Sequence, residues 1–226
     1  MVGIYKSFGA VEALCGVDFD VGRNEVVGLI GDNGAGKSTL IKILSGVFPP
    51  DRGELYVKGQ RVDLRRYSVH RARELGIETV FQEQALGEKQ PIWRNIFLGR
   101  QPANRLGFID VGKARREADY VMRHVLRFTG GGISPDAPVR QLSGGERQGD
   151  EPTRALSVKE VQKVLDFIAR VKELSKACVY ISHTIVDVYS VSDRFVILDR
   201  GRVAARYRKD QVSERELVDI LRHVRA

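Results

Sequence analysis

The strongest constraint on this chain is a junction. The apolar run EVVGLI (residues 25–30) passes straight into GDNGAGKST (residues 31–39), and from Lys37 the apolar spacing turns helical, with Leu40, Ile41, Ile43 and Leu44 ahead of Gly46 and a stop at Pro49-Pro50. An unbroken apolar run of that length is the pattern of a strand covered on both faces, so a buried strand, a tight glycine-rich loop and a helix are expected in succession. The loop fits the spacing G-x-x-x-x-G-K-[ST] at Gly31, Gly36, Lys37 and Ser38. Gly34 and Gly36 let the backbone turn so that several N–H groups face one concavity, to which the helix adds its positive dipole end. The natural occupant of such a cup is an anion. Lys37 is placed to reach the β- and γ-phosphates of a nucleotide and Ser38 to offer its hydroxyl to Mg²⁺. The loop from Gly31 through Asp32, Asn33, Gly34, Ala35 and Gly36 to Thr39 supplies backbone amides for the α- and β-phosphates.

The remaining pattern surrounds that junction with further strands and helices. GVDFDV (residues 16–21) alternates as a half-buried strand does, and LYVKGQRVDL (residues 55–64) reads as two short strands around Lys58-Gly59. A helix from Val69 to Gly76 precedes a strand IETVFQ (residues 77–82), while residues 87–112 are rich in Gly, Pro and Arg and favour loops and short helices. Ala114, Ala118, Val121, Met122, Val125 and Leu126 mark one helical face. Ser157 and Glu160 form a capping box ahead of Val161, Val164, Leu165, Ile168, Val171 and Leu174 at helical spacing. CVYIS (residues 178–182) reads as a buried strand, FVILD and VAARY flank a turn at Arg200-Gly201, and Ser213 with Glu216 cap a last helix. Alternating strands and helices around a parallel core predict an α/β fold. One domain over residues 1–226 is expected, with a core at 1–86 and 150–226 and a mostly helical subdomain at 87–149.

Composition narrows the class. With 226 residues, 42% apolar and 29% charged, the chain can bury one core and is not a disordered tail. No run approaches the ~20 apolar residues of a membrane span, and MVGIYKSFGA lacks the apolar stretch of a secretion signal, so a soluble, cytosolic chain is expected. Cys15 and Cys178 lie far apart and beside no histidine pair, and both read as buried small apolar residues. Lysine and arginine outnumber aspartate and glutamate 37 to 29, a formal charge of +8 that suits a nucleotide, a nucleic acid or a membrane surface.

A second string, LSGGERQ (residues 142–148), is an ordinary loop taken alone. Beside the loop at 31–39 it resembles the signature of the ATP-binding cassette (ABC) ATPases. FGAVEALCGVDFDV, GLIGDNGAGKSTLIKILSG, VFQEQAL, NIFLGR, DEPT, ALSVKE and ISH, in that family's order over nearly the whole chain, resemble its importer subunits for simple sugars of the ribose and xylose type. The resemblance implies a P-loop NTPase with a RecA-like core, an antiparallel β subdomain and a helical subdomain.

It also implies roles, residue by residue. Phe8 takes the adenine-stacking position, with Tyr5 as the alternative. Gln82 matches the glutamine that contacts Mg²⁺ and the attacking water, and His183 the histidine at the γ-phosphate. Asp150 matches the aspartate that holds Mg²⁺, and Glu151 the general base. Ser143, Gly144, Gly145 and Glu146 of one subunit would close over ATP bound to another. Ala155, Leu156 and Ser157 match the segment that communicates between subunits, whereas Arg154 stands where the family has a small residue. The implied ligands are ATP and Mg²⁺. The implied partners are a second ABC ATPase subunit, transmembrane permease subunits and, indirectly, a sugar-binding protein, with no nucleic acid. The implied place is peripheral, on the cytoplasmic face of the plasma (inner) membrane. Trp93 and Arg94 are candidates for the permease contact.

The resemblance breaks at one point. Only Gly149 separates LSGGERQ from DEPT, where the family has the rest of the signature helix and an apolar strand presenting the two acids, roughly 15 residues or more. Glu146, Arg147 and Gln148 are too few to propagate a helix behind Ser143, and Glu151 precedes Pro152, which turns it from helical geometry. FVILD ends in an acid but follows His183, where the family has its terminal hairpin. The central sheet is therefore expected to lack a strand. Two alternatives stay open: a nucleotide-binding subunit that no longer hydrolyses, and a soluble cassette protein acting on nucleic acid. The second is permitted by charge, but the chain has neither a coiled-coil insertion nor a basic tail.

Overall fold

A computed structural model describes residues 1–80, 87, 89–125, 134–139 and 158–224. The chain forms two compact units, Met1–Thr79 with Ala155–Ala226, and Val80–Arg154. The first holds β1 (Val2–Phe8), β2 (Val11–Val17), β3 (Val26–Ile30), α1 (Lys37–Leu44), β4 (Arg52–Glu54), β5 (Tyr56–Val57), β6 (Gln60–Arg61) and α2 (Val69–Glu74). The second holds α3 (Ile92–Ile96) and α4 (Val111–Tyr120), which runs into a π-helical turn at Val121–Val125. The first unit resumes with α5 (Val158–Glu173), β7 (Cys178–Tyr180), α6 (Ile185–Val191), β8 (Arg194–Asp199), β9 (Arg202–Arg208) and α7 (Glu214–Val224).

Among the described residues the central sheet has the order β7-β3-β8-β9, and a second sheet has the order β2-β1-β4. β3 runs parallel to β7 on one side and to β8 on the other, while β9 returns antiparallel to β8. All five residues of β3 are buried, which is why this strand tolerates no polar residue. Its side chains alternate between two cores. Val27 and Leu29, with Val196 and Leu198 of β8, meet Leu40 and Ile43 of α1 and Ile4, Leu14 and Val17 of the β1–β2 hairpin. Ile30, with Phe195 and Ile197, meets Val188 of α6 and Leu217 and Leu221 of α7. Gly28 interrupts the apolar run because α6 leaves no room there: a Cβ would lie 2.5 Å from Cγ1 of Val188.

Several sequence expectations are corrected. The strand placed at 16–21 is a ladder over Val11–Val17. Burial still alternates to Phe19, because Met1 and Phe19 exchange backbone hydrogen bonds (2.7 and 2.9 Å) outside the ladder. Residues 77–80 of the expected strand 77–82 join no ladder, and Val80 is 89% exposed. Residues 81 and 82 lie outside the described residues. The ladder of CVYIS is three residues long and half-buried rather than buried, since β7 borders the sheet among the described residues. Cys178 is accordingly half-buried, whereas Cys15 is buried. The helical face from Ala114 is α4 only to Tyr120, and Leu126 lies outside the described residues. The cap at Ser213 is as expected: Glu216 accepts the Ser213 N–H (2.8 Å), and Ser213 Oγ accepts that of Glu216 (3.3 Å).

In the second unit Trp93 packs with Ala114 and Ala118 and is 5% exposed. It is a core residue, not the surface contact the sequence allowed. Arg94 is exposed, its guanidinium 5.6 Å from the Trp93 ring centroid. Among the described residues no helix is long and apolar enough to cross a membrane.

Candidate functional site

The site grows from the end of β3. At Gly31 (φ 152°) a Cβ would sit 2.3 Å from the Leu198 carbonyl oxygen of β8, so only glycine lets the chain leave the sheet beside that strand. The loop tightens through the Ala35 N–H bond to the Asp32 carbonyl (3.1 Å) and becomes helix at Gly36 (φ 102°), whose carbonyl accepts from the Leu40 N–H (2.9 Å). A Cβ on Gly36 would meet the Ala13 carbonyl oxygen of β2 at 2.6 Å, and φ in that region is itself costly for any L side chain.

Lys37 opens α1 and folds back under the loop. Its Nζ donates to the Gly31 carbonyl at 2.6 Å and to that of Asp32 at 2.7 Å, and the residue is 7% exposed. Burial lowers the Lys37 pKa from its ordinary value, opposed by the charge of Asp32. An ammonium has three donors; two are spent on the loop, and a phosphate oxygen is the acceptor that would both take the third and relieve the desolvation. Ser38 is exposed in the first turn of α1, and Asn33 and Gly34 are exposed at the loop's crest. A single hydroxyl at this position suits Mg²⁺, an ion that takes few protein ligands and completes its shell with phosphates and water.

Phe8 ends β1 and pairs with Val11 across the hairpin. It is 48% exposed, packs edge-on against Phe48 (centroids 5.4 Å apart), and has Lys6 Nζ 5.6 Å from its centroid. Lys6 is fixed by Asp51 (2.7 Å), which also accepts the Ser7 N–H (2.6 Å); the Lys6 bond holds the Asp51 carboxyl below its ordinary pKa. Phe8 lies on the same hairpin as Ala13, whose carbonyl touches the Gly36 position of the loop. Tyr5 is a poorer platform, since the Arg52 guanidinium covers its ring at 4.6 Å. His183 is exposed just before α6. It follows the C-terminal end of β7, which runs parallel to β3, the strand that leads into the loop.

The loop 31–39 and His183 thus follow the C-terminal ends of the parallel strands β3 and β7, and the β1–β2 hairpin that carries Phe8 meets the loop at Ala13. Gln82, Ser143, Gly144, Gly145, Glu146, Asp150, Glu151, Arg154, Ala155, Leu156 and Ser157 lie outside the described residues. Sequence reasoning missed Phe48, the edge-on support of Phe8. It also missed Gly201, whose N–H reaches the loop at the Ala35 carbonyl (3.2 Å). The turn at Arg200-Gly201 was legible as a turn, but nothing local says what it touches.

A family model described as ABC transporter matches residues 14–166. The chain belongs to the ABC transporter family. The xylose/arabinose import ATP-binding protein of Sulfolobus acidocaldarius is 40% identical, over 96% of this chain and 91% of its own length. A ribose import ATP-binding protein of Rubrobacter xylanophilus is 41% identical over 93% of this chain, and one of Chromobacterium violaceum 39% over 89%. The chain spans less than half the length of those two ribose relatives, 44% and 42%.

The Sulfolobus alignment runs over 237 positions although this ABC chain has 226 residues, so that relative carries residues with no counterpart here. Among solved structures, a nucleotide-free ATP-binding cassette from an ABC transporter superposes with TM-score 0.75 at 20% identity, covering 100% of this chain and 97% of that one. A dimeric cassette in a post-hydrolysis state bound to ADP and phosphate gives 0.68 at 21%, covering 92% and 97%. These likenesses establish the ABC cassette fold.

Proposed function

We propose that this chain is the ATP-binding subunit of an ABC importer for a simple sugar, coupling ATP binding and hydrolysis to transport through membrane-embedded partners. The observation that carries the reading is Lys37, buried beneath the turn between Gly31 and Gly36 and held by two loop carbonyls, beside the hairpin that carries Phe8. The names of the curated relatives supply the sugar-import context.

In this reading Phe8 stacks on adenine, and the backbone from Gly31 to Thr39 with Lys37 holds the phosphates. Ser38, Gln82 and Asp150 would hold Mg²⁺, which would supply positive charge to the phosphoryl groups. Glu151 accepts a proton from the attacking water, and His183 donates toward the γ-phosphate. Ser143, Gly144, Gly145 and Glu146 of a second subunit complete the site by presenting bare helix-terminal N–H groups from the opposite side. ATP then favours the closed pair over the open one, and its loss reverses that preference. The permease subunits respond to that cycle, a sugar-binding protein delivers the cargo, and this subunit sits peripherally on the cytoplasmic face of the membrane.

The test is ATP binding and Mg²⁺-dependent phosphate release by the purified chain, alone and with its permease in vesicles. Binding with turnover stimulated by the permease is expected. Binding without turnover would assign the chain to the non-hydrolysing alternative, salt-sensitive binding of DNA or RNA to the nucleic-acid one, and absence of ATP binding would overturn all three.

A further inference from the structure

The turn between β8 and β9 reaches away from its own hairpin. Arg200 (φ 42°) and Gly201 (φ 74°) form it, both in the left-handed region as a two-residue hairpin of this hand demands. The Gly201 peptide is engaged on both sides by other parts of the molecule. Its N–H donates to the Ala35 carbonyl of the phosphate loop (3.2 Å), and its carbonyl accepts from the Cys15 N–H of β2 (2.7 Å). Arg202, the next residue, donates from its guanidinium to the Cys15 carbonyl (3.3 Å). There is no space for a side chain: a Cβ on Gly201 would stand 2.9 Å from the Ala13 carbonyl oxygen and 3.1 Å from the Leu14 Cα. These atoms are backbone and cannot rotate away.

Two halves of the nucleotide site therefore meet at one residue. The phosphate loop is on its N–H side, and the hairpin that ends in Phe8 is on its carbonyl side. We infer that Gly201 is a positioning residue for the nucleotide: its peptide sets the separation between the phosphate cup and the aromatic platform, so that one ATP engages both. The inference rests on the reading of Phe8 and residues 31–39 as a nucleotide site. A Cβ at Gly201 collides with the Ala13 and Leu14 backbone of β2, so β2, and Phe8 with it, must shift relative to the loop.

The test compares ATP with inorganic tripolyphosphate, which has the phosphates and no base, each with Mg²⁺, on the full chain and its G201A, F8A and G201A/F8A variants. The unaltered chain should bind ATP roughly tenfold tighter than tripolyphosphate, the share contributed by stacking. G201A should bring that ratio close to the F8A value, and the double variant should lose nothing further, the non-additivity of two changes acting through one contact. A merely structural role would lower both affinities by the same factor or shift only the melting temperature; either result overturns the inference while leaving the nucleotide reading intact. If G201A fails to fold, amide exchange on the unaltered chain decides. ATP should slow exchange at both Cys15 and Gly201 whereas tripolyphosphate slows it at Gly201 alone, and equal responses to the two ligands overturn the inference. If the unaltered chain does not bind ATP, the nucleotide reading itself falls and this inference with it.

Discussion

The two flanks of the central sheet are built differently. On one side of β3, β8 is six residues long with four of them buried, is paired on both edges, and continues through its turn into contact with the phosphate loop and β2. On the other side, β7 has three residues, all half-buried, and α5, which packs against it, buries Ile168 but leaves Phe167 60% exposed, with Leu174 just after the helix 70% exposed. The phosphate loop hangs from the well-built flank. On the proposed function, the difference puts holding a nucleotide and cleaving it on separate parts of this molecule. In that reading the cup rests on β3, β8 and the β2 hairpin, whereas only Gly149 separates Gln148 from Asp150 and Glu151, the acids proposed for cleavage.

The largest test of that contrast is repair of the poorer flank. Inserting a signature helix and an apolar strand between Gln148 and Asp150 is expected to raise Mg²⁺-dependent ATP turnover by roughly 10²-fold or more, the scale of a correctly placed general base. ATP affinity should change little. Turnover unchanged by the insertion would mean that the acids already stand where they are needed. Next in size, K37A removes a charge-assisted bond to phosphate worth about 1.5–3 kcal/mol, so a titration should show ATP affinity falling roughly 10- to 100-fold.

Stability sharpens the comparison further. I197A in β8, a fully buried position, is expected to cost about 2–5 kcal/mol in denaturant unfolding. L174S on the α5 flank should stay within about 0.5 kcal/mol; equal losses would erase the distinction between flanks.

The smallest effect concerns Glu25, which ties β3 to β8 through Arg194 (2.8 and 3.1 Å). The Arg194 hydrogen bond, with burial opposing it and the Gly22 N–H assisting, holds its carboxyl below the ordinary 4.5. A carboxyl whose pKa is lower in the folded state stabilises fully above about pH 4.5 and loses that contribution as pH falls through the lowered value. E25Q should flatten the acid limb of the stability profile by less than about 1 kcal/mol, as expected for a partly solvated pair.

The junction from β3 to α1 was legible because every signal in it is local: an unbroken apolar strand, glycines at the turn, helical spacing after Lys37. The hairpin at Lys58-Gly59 and the cap at Ser213 were legible for the same reason. β1 was not, since Gly3 and the register shifts along its ladder break the alternation that would mark a strand. Burial of Trp93 depends on α4 coming back across α3, and the half-burial of Cys178 depends on which strand stands beside it. In the site, the loop and Phe8 could be found by pattern and resemblance, but the bond from Gly201 to Ala35 joins residues far apart in sequence. It exists only because β8 lies parallel to β3, a fact of topology that no local pattern records.

The most direct measurement is a calorimetric titration of the purified chain with ATP and Mg²⁺, run beside K37A. Saturable binding of one ATP per chain that weakens at least tenfold in K37A is the expected result. Absence of binding, or binding that K37A leaves unchanged, would contradict the claim that residues 31–39 cradle a nucleotide.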